Sequence, residues 1–311
     1  MRSVRVTGWG APPEVREVPN PAPVTGHSIV RVEAATVGHL DRTIWSGAFL
    51  NPPPLPYTPG VEGAGTVIDG AMFEAGTRVW IRGCGLGVAF DGTWSELVSA
   101  PDQSMGVLPD DVSAEIGASF FSPCTSAWVS LHEIARVGPT DTVAVTGATG
   151  AVGAVAVQLA LSVATAVIGC VSSNAAADSL PEGVIPHVTS DDSAWPDCDV
   201  LIDTVGGPVL ATMLPRVRSG GRVVLIGYVA GSALELNLAE LIQRNVALLP
   251  LNMLQRDTQG RAAAPALLKL LGDGRLTLST TPFALAEAAA ALGWLTERGH
   301  RGRAVLLPGA T

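Results

Sequence analysis

The run TVAVTGATGAVGAVAVQLALSVATAVIGCV, residues 142–171, decides how the rest of the chain is read. β-Branched residues at Val143 and Val145 lead into Gly147, Gly150 and Gly153, spaced G-x-x-G-x-x-G. An alanine-rich apolar segment follows, and then a second strand-like run over 166–171. Strand, glycine turn, helix and strand open a βαβ unit of the kind that holds a dinucleotide. A phosphate needs backbone N–H groups aimed at it and no Cβ in the way. Glycine removes the Cβ, and a helix N-terminus supplies free N–H groups with a partial positive charge. The rival is a membrane span, because no charged residue stands between Asp141 and Asp178. Gln158, Ser162 and Thr165 break the apolar run, and the flanking Lys/Arg of a span are missing, so the span is set aside.

Outward from this unit, 197–205 and 221–228 are apolar runs of strand length, as expected of strands buried on both faces. The run 246–253 is one more. Segments 265–272 and 284–296 are helical, and 304–307 closes as a strand. Upstream, 125–135 has helical spacing, and Ser113 is placed to start a helix. Strands alternating with helices over 115–255 predict a parallel, doubly wound sheet. Residues 1–110 are different: short β segments at 3–7, 28–34, 65–68 and 78–82 are cut by Pro/Gly clusters, which predicts an all-β lobe.

Whole-chain properties narrow the function. With 311 residues, 47% hydrophobic and 15% charged, the chain is globular and has length for one large or two ordinary domains. A net charge of −9 offers no basic stripe for nucleic acid. Cys84, Cys124, Cys170 and Cys198 show no C-x-x-C spacing, and they are expected as buried thiols in a reducing compartment. The opening MRSVRVTGW is strand-like without an apolar signal core, which predicts a cytoplasmic protein.

Several motifs together resemble one family. The stretch TVGHLDRTIWSGAFLNPPPLPYTPGVEGAGT at 36–66 is followed in order by GTWSE at 92–96, TSAW at 125–128, the glycine turn, DTVGG at 203–207, GGRVVLIG at 220–227 and GRAVLLP at 302–308. This resembles the zinc-free, zeta-crystallin-like quinone oxidoreductases of the medium-chain dehydrogenase/reductase superfamily. The resemblance implies a GroES-like β-barrel catalytic lobe (1–120 and 262–311) and a Rossmann dinucleotide-binding lobe (121–261), with the cofactor in the cleft between. It also implies a homodimer paired through the edge-strand run from Val246 to Met253, for which a buried core strand is the alternative.

Zinc-dependent relatives take a Cys three residues before the Asp of the first motif and a His-Glu pair in the glycine-rich motif. This chain has Gly38 before Asp41 and Val61 before Glu62, and neither side chain can donate an electron pair to zinc. Without a Lewis acid, the expected chemistry is hydride delivery to a quinone or an α,β-unsaturated carbonyl. An NAD enzyme places an acid at the end of the second strand; here Ser172, Ser173 and Asn174 stand there instead, so NADPH is expected over NADH. The resemblance assigns the pyrophosphate to Gly150, Ala151, Val152 and Gly153. Ribose and nicotinamide go to Val205, Gly227, Tyr228 and a strand with Leu251, Asn252 and Met253, and the carboxamide region to Ser126.

The substrate side departs from the family, which often carries Asn at Gly38 and Tyr at Thr43 and Phe49. Proton transfer would then fall to Thr43, His39, Tyr57 or water. Asp41 either caps its helix or, with Trp45, Phe49 and Trp94, lines an apolar acceptor pocket. Two alternatives stay open: an enoyl-thioester reductase served by a carrier protein, and a non-catalytic dinucleotide-binding sensor.

Overall fold

The structure, a computed structural model, describes residues 1–190, 195–297, 299 and 301–310. Two compact units divide the chain: Met1–Phe121 with Leu271–Asp273 and Leu278–Thr311, and Ser122–Leu270 with Gly274–Thr277. The first boundary falls one residue beyond the expected 120. The return falls after 270, not at 262, because a helix beginning at Asp257 carries the chain that far.

In the first unit, β1 (Arg2–Arg5) pairs antiparallel with β2 (Glu14–Glu17). The long β3 (His27–Val37) is the hub of the main sheet. It leads into helix α1 (His39–Trp45), and the chain returns through β4 (Glu62–Asp69) and β5 (Arg78–Arg82). Next come β6 (Leu97–Pro101), β7 (Met105–Val107) and α2 (Ala114–Ser119). Ser113 starts α2 as its spacing predicts, its Oγ accepting from Ile116 N at 3.3 Å.

The second unit opens with α3 (Phe121–Trp128), extended by a π-helical turn over Val129–Ile134. The βαβ stretch follows as β8 (Thr142–Thr146), α4 (Ala151–Ala160) and β9 (Ala166–Val171). After it come α5 (Asn174–Ala177), β10 (Val184–Val188), β11 (Cys198–Asp203), α6 (Gly207–Met213), β12 (Val217–Leu225), α7 (Leu238–Arg244), β13 (Ala247–Pro250) and α8 (Asp257–Gly272). The chain then completes the first unit with β14 (Thr280–Ala284), α9 (Ala288–Trp294) and β15 (Arg303–Leu307), the last inserted between β14 and β3.

Among the described residues, the second unit has one six-stranded sheet in the order β10-β9-β8-β11-β12-β13, all parallel. Numbered from its own first strand, this is the order 3-2-1-4-5-6 of a doubly wound dinucleotide fold, with the reversal between β8 and β11. Its middle strands are buried because helices cover them, which explains their unbroken apolar runs. β10 carries Pro186, tolerable because β10 is an edge. β13 is the other edge. It ends at Pro250, so Leu251, Asn252 and Met253 follow the strand and do not belong to it; only Leu251 N reaches back, to Leu225 O at 2.9 Å.

The antiparallel unit has its own core, in which Val30, Val32, Val37, Ile81, Trp94 and Leu292 are buried together. No helix among the described residues is long and apolar enough to cross a membrane.

Candidate functional site

Of the residues expected to hold a dinucleotide, all but Ser126 follow the C-terminal ends of the parallel strands of the second unit. Gly147 follows β8 with φ at +62°, a conformation that costs glycine nothing. A Cβ on Gly153 would stand 2.1 Å from Gly147 O, so only glycine lets α4 start this close to the turn. Gly150 caps α4 with extended backbone, leaving the first-turn N–H groups, those of Ala151, Val152 and Gly153 among them, without partners inside the helix. That is a cradle for a phosphate.

At the end of β9, Ser172, Ser173 and Asn174 are exposed. Ser173 Oγ accepts from Ala176 N at 3.3 Å, capping the single turn of α5, and its O–H remains a donor. Val205 follows β11, and Gly227 and Tyr228 follow β12; Ala230 N bonds Val205 O at 3.0 Å and ties the two loops together. Tyr228 is 73% exposed. Asn252 Oδ1 accepts from Leu254 N at 3.0 Å, and Met253 and Thr125 both border Gly260 of α8. Ser126 is buried in α3. Beneath the loops, burial raises the pKa of Asp203, against the bonds it accepts from Thr146 and Gly206.

The first unit contains a different kind of site. Asp41, in the first turn of α1, is buried and accepts two backbone N–H bonds: Gly38 N on Oδ2 at 2.9 Å and Val61 N on Oδ1 at 3.0 Å. Burial pushes its carboxyl up to about 6, with the neighbouring Glu62 charge adding to the rise and the two N–H bonds and Arg303 opposing it. Glu62 is itself buried and paired with Arg303 and, at 3.4 Å, with Arg82. Tyr57 is 2% exposed, and its hydroxyl has no hydrogen-bond partner among the described residues; burial and the Asp41 charge push its pKa up. Tyr57 packs with Val6, Ile44 and Val61, and the half-buried Trp45 and Phe49 border the cluster.

The other expected site residues of this unit fall differently. Trp94 belongs to the core: it is wholly buried, with Nε1 donating to Thr36 O at 3.0 Å, and so it lines no open pocket. Thr43 Oγ1 donates to His39 O at 2.8 Å, a bond within α1, and His39 is exposed at the start of that helix. Trp45 Nε1 is held by Ala11 O at 2.7 Å. Sequence reasoning missed Arg303, Arg82 and Thr146. The signal for Thr146 was its place before the glycine turn; Arg303 lies 241 residues from its partner, and no local pattern announces the pair.

Family models and known proteins place this geometry. Residues 25–110 match the model described as the alcohol dehydrogenase GroES-like domain, and 166–306 match that described as zinc-binding dehydrogenase. A zinc-type alcohol dehydrogenase-like protein of Schizosaccharomyces pombe is 32% identical over 78% of this chain and 74% of its own length. The quinone oxidoreductase of Rattus norvegicus is 28% identical over 73% of each chain. The Escherichia coli quinone oxidoreductase, solved in complex with NADPH, shares the fold at a TM-score of 0.86, with 21% identity over 99% of this chain and 100% of that one.

A zinc ion does not fit the residues at hand. Gly38 and Val61 stand where the resemblance puts ligands, and they offer no lone pair beyond a peptide carbonyl. Their N–H groups are engaged by Asp41. Among the described residues no group of three or more His, Cys, Asp or Glu is placed to hold a metal. Both the fold and the relatives lead to one assignment: the chain belongs to the medium-chain dehydrogenase/reductase superfamily, as a quinone oxidoreductase-like oxidoreductase.

Proposed function

We propose that the protein is an NADPH-dependent, zinc-independent reductase of quinones or α,β-unsaturated carbonyls. The observation that carries the proposal is the glycine turn at the reversal point of the parallel sheet, where Gly153 has no room for a Cβ and no acid follows β9. Ala151, Val152 and Gly153, behind the Gly150 cap, would bind the pyrophosphate through backbone N–H groups. Ser172, Ser173 and Asn174 would meet the 2′-phosphate, where an Asp or Glu would repel it. Val205, Gly227, Tyr228, Leu251, Asn252 and Met253 would orient ribose and nicotinamide, and Ser126 the carboxamide end. Bound there, the reduced nicotinamide supplies a hydride.

Zinc independence is proposed from the donor set at Gly38 and Val61. An acceptor that needs no Lewis acid takes hydride at carbon and delocalises its charge to oxygen. We assign Tyr57 to hydrogen-bond that oxygen; its hydroxyl is closed off from solvent, so the acceptor must part the cluster bordered by Trp45 and Phe49 to reach it. Its raised pKa makes it a hydrogen-bond donor at neutral pH and a poor source of a free proton. Trp45 and Phe49 supply apolar surface beside it. Thr43 is less suited, its proton already given to His39 O.

The test is oxidation of NADPH and NADH by chelator-treated protein, against a panel of quinones, a small enone and a crotonyl-thioester. The expected result is quinone or enone turnover that prefers NADPH and survives chelation. Thioester-only turnover would transfer the protein to the enoyl-thioester class, and a preference for NADH would overturn the assignment of Ser172, Ser173 and Asn174. Tight dinucleotide binding without turnover on any acceptor would mark a sensor.

A further inference from the structure

One carboxylate ties together three loops that carry the dinucleotide residues proposed above. Asp203, the last residue of β11, is fully buried. Its Oδ1 accepts from Thr146 Oγ1 at 2.6 Å and its Oδ2 from Gly206 N at 2.9 Å, while its carbonyl accepts from Ile226 N at 2.9 Å. Thr146, the last residue of β8, receives Thr204 N on its Oγ1 at 3.0 Å, and its carbonyl receives Thr204 Oγ1 at 2.7 Å. The pairing of β8 with β11 runs from Val143 with Val200 to Val145 with Ile202. One residue further on, where the two strands lead to different loops, side-chain bonds hold them together.

Thr204 stands at the contact of all three loops. A Cβ on Gly147 would lie 2.7 Å from Thr204 Oγ1 and 2.8 Å from Val205 Cγ2. A Cβ on Gly227 would lie 2.1 Å from Thr204 O. The glycine turn after β8 and the loop after β12 therefore press on the same residue, with no slack for it to shift. What fixes Thr204 is the pair Thr146 and Asp203. A carboxylate accepts on both oxygens from Thr146 and Gly206; an amide that keeps its oxygen on Gly206 N would have to donate to Thr146 Oγ1, which reverses that bond and leaves both bonds without a charge. Charge-assisted bonds of this kind are also the stronger ones.

We propose that Asp203, acting through Thr146 and Thr204, is a positioning residue that sets the spacing of the pyrophosphate, ribose and nicotinamide loops for the dinucleotide. The proposal rests on the dinucleotide function above. It adds that the affinity of the site is set from beneath, by a side chain that does not touch the cofactor.

The test compares the wild type with Asp203→Asn, Thr146→Val and the conservative Thr146→Ser, by fluorescence titration with NADPH and by thermal unfolding of the same samples. Loss of a charge-assisted bond predicts that Asp203→Asn and Thr146→Val raise Kd by about tenfold or more. Thr146→Ser keeps the hydroxyl and is expected within about twofold of the wild type. In steady state, the effect should fall on the KM for NADPH more than on kcat. A lowered unfolding temperature with unchanged Kd would show that the bonds merely support the sheet, and would overturn the proposal. Unchanged values in both measurements would overturn it as well. Should Asp203→Asn fail to fold, Thr146→Val against Thr146→Ser decides by the same criterion. Failure of the wild type to bind either NADPH or NADH would instead overturn the dinucleotide function, and this proposal with it.

Discussion

The two units hold their functional groups in opposite ways. At the C-terminal edge of the parallel sheet, the proposed phosphate site is made of backbone: N–H groups freed at the start of α4, and glycines whose missing Cβ makes room. In the antiparallel unit, the proposed acceptor site is made of side chains brought from far apart, with Asp41, Tyr57, Glu62 and Arg303 converging from four segments. A backbone site depends on local spacing, and at Gly147 and Gly153 it has no room for a Cβ. A side-chain cluster can lose members and keep its frame. Asp41 still bonds the N–H groups of Gly38 and Val61, although neither residue carries a side chain able to ligate metal.

The contrast is sharpest for substitution at a cradle glycine. Gly153→Ala would drive a methyl to 2.1 Å from Gly147 O, a backbone atom with nowhere to go. Relief by moving α4 is expected to cost about 3 kcal/mol of stability, as overpacking does. A shift on the order of 1 Å in the cradle should raise the Kd for the dinucleotide and, by misplacing the nicotinamide, slow turnover about 100-fold. Urea unfolding, NADPH titration and turnover of the purified variant measure these effects. If an alanine here binds as the wild type does, the backbone account of this edge is wrong.

Next in size is a pH effect in the other unit. The Asp41 carboxyl titrates at about 6 in the folded chain, against an ordinary value of 3.8. The folded state therefore keeps this proton to higher pH than the unfolded state does. The stability it contributes is whole below about pH 4 and is lost as pH rises through 6, a total of about 3 kcal/mol. Asp41→Asn does not titrate; its amide N–H faces the N–H of Gly38 or Val61, which costs the same at every pH and leaves the slope to be compared. The variant should gain on the wild type by about that amount between pH 4 and pH 7, read from urea midpoints across the range. A constant difference would mean that Asp41 does not titrate in this window.

How far each unit was legible in the sequence follows from the same contrast. The glycine spacing at 147, 150 and 153, the cap at Ser113 and the apolar runs at 197–205 and 221–228 are local patterns; β11 lies within the first run, and β12 starts four residues before the second and ends three before its close. Strand ends were less legible. Leu251 to Met253 continue an apolar run, but the ladder to β12 stops at Pro250. α8 begins at Asp257, ahead of Pro265, because the apolar run alone did not mark its polar first turns. In the antiparallel unit, Trp94 carried a misleading signal. It was expected with Trp45 and Phe49 to line an apolar acceptor pocket, yet Thr36 O satisfies its N–H inside the core. The Glu62–Arg303 pair is set by β15 running beside β3, a pairing that no spacing along the chain encodes.

Tyr57 tests whether that side-chain cluster is built for function. A buried hydroxyl without a partner costs stability, on the order of 1–3 kcal/mol when it stays unsatisfied. Tyr57→Phe removes that cost and keeps the ring against Val6, Ile44 and Val61. The variant should be more stable by about 1 kcal/mol and slower in turnover, the opposed pair of effects expected where a protein holds a group ready for a ligand. A gain in stability with full activity would make the hydroxyl a packing accident.

The smallest expected effect decides between two uses of one turn. Ser173 caps α5, so Ser173→Ala should lower stability by about 0.5–1 kcal/mol whatever the turn binds. Ser172, exposed beside it, has no such duty among the hydrogen bonds of α5. If the pair meets a 2′-phosphate, each alanine variant should raise the Kd for NADPH by a few-fold, on the order of one neutral hydrogen bond, and leave that for NADH unchanged. If the turn only caps, Ser172→Ala changes neither constant, and Ser173→Ala changes both or neither. The ratio of the two constants in Ser172→Ala thus separates recognition from capping. It also asks whether exposed side chains add cofactor choice to a cradle whose affinity comes from backbone.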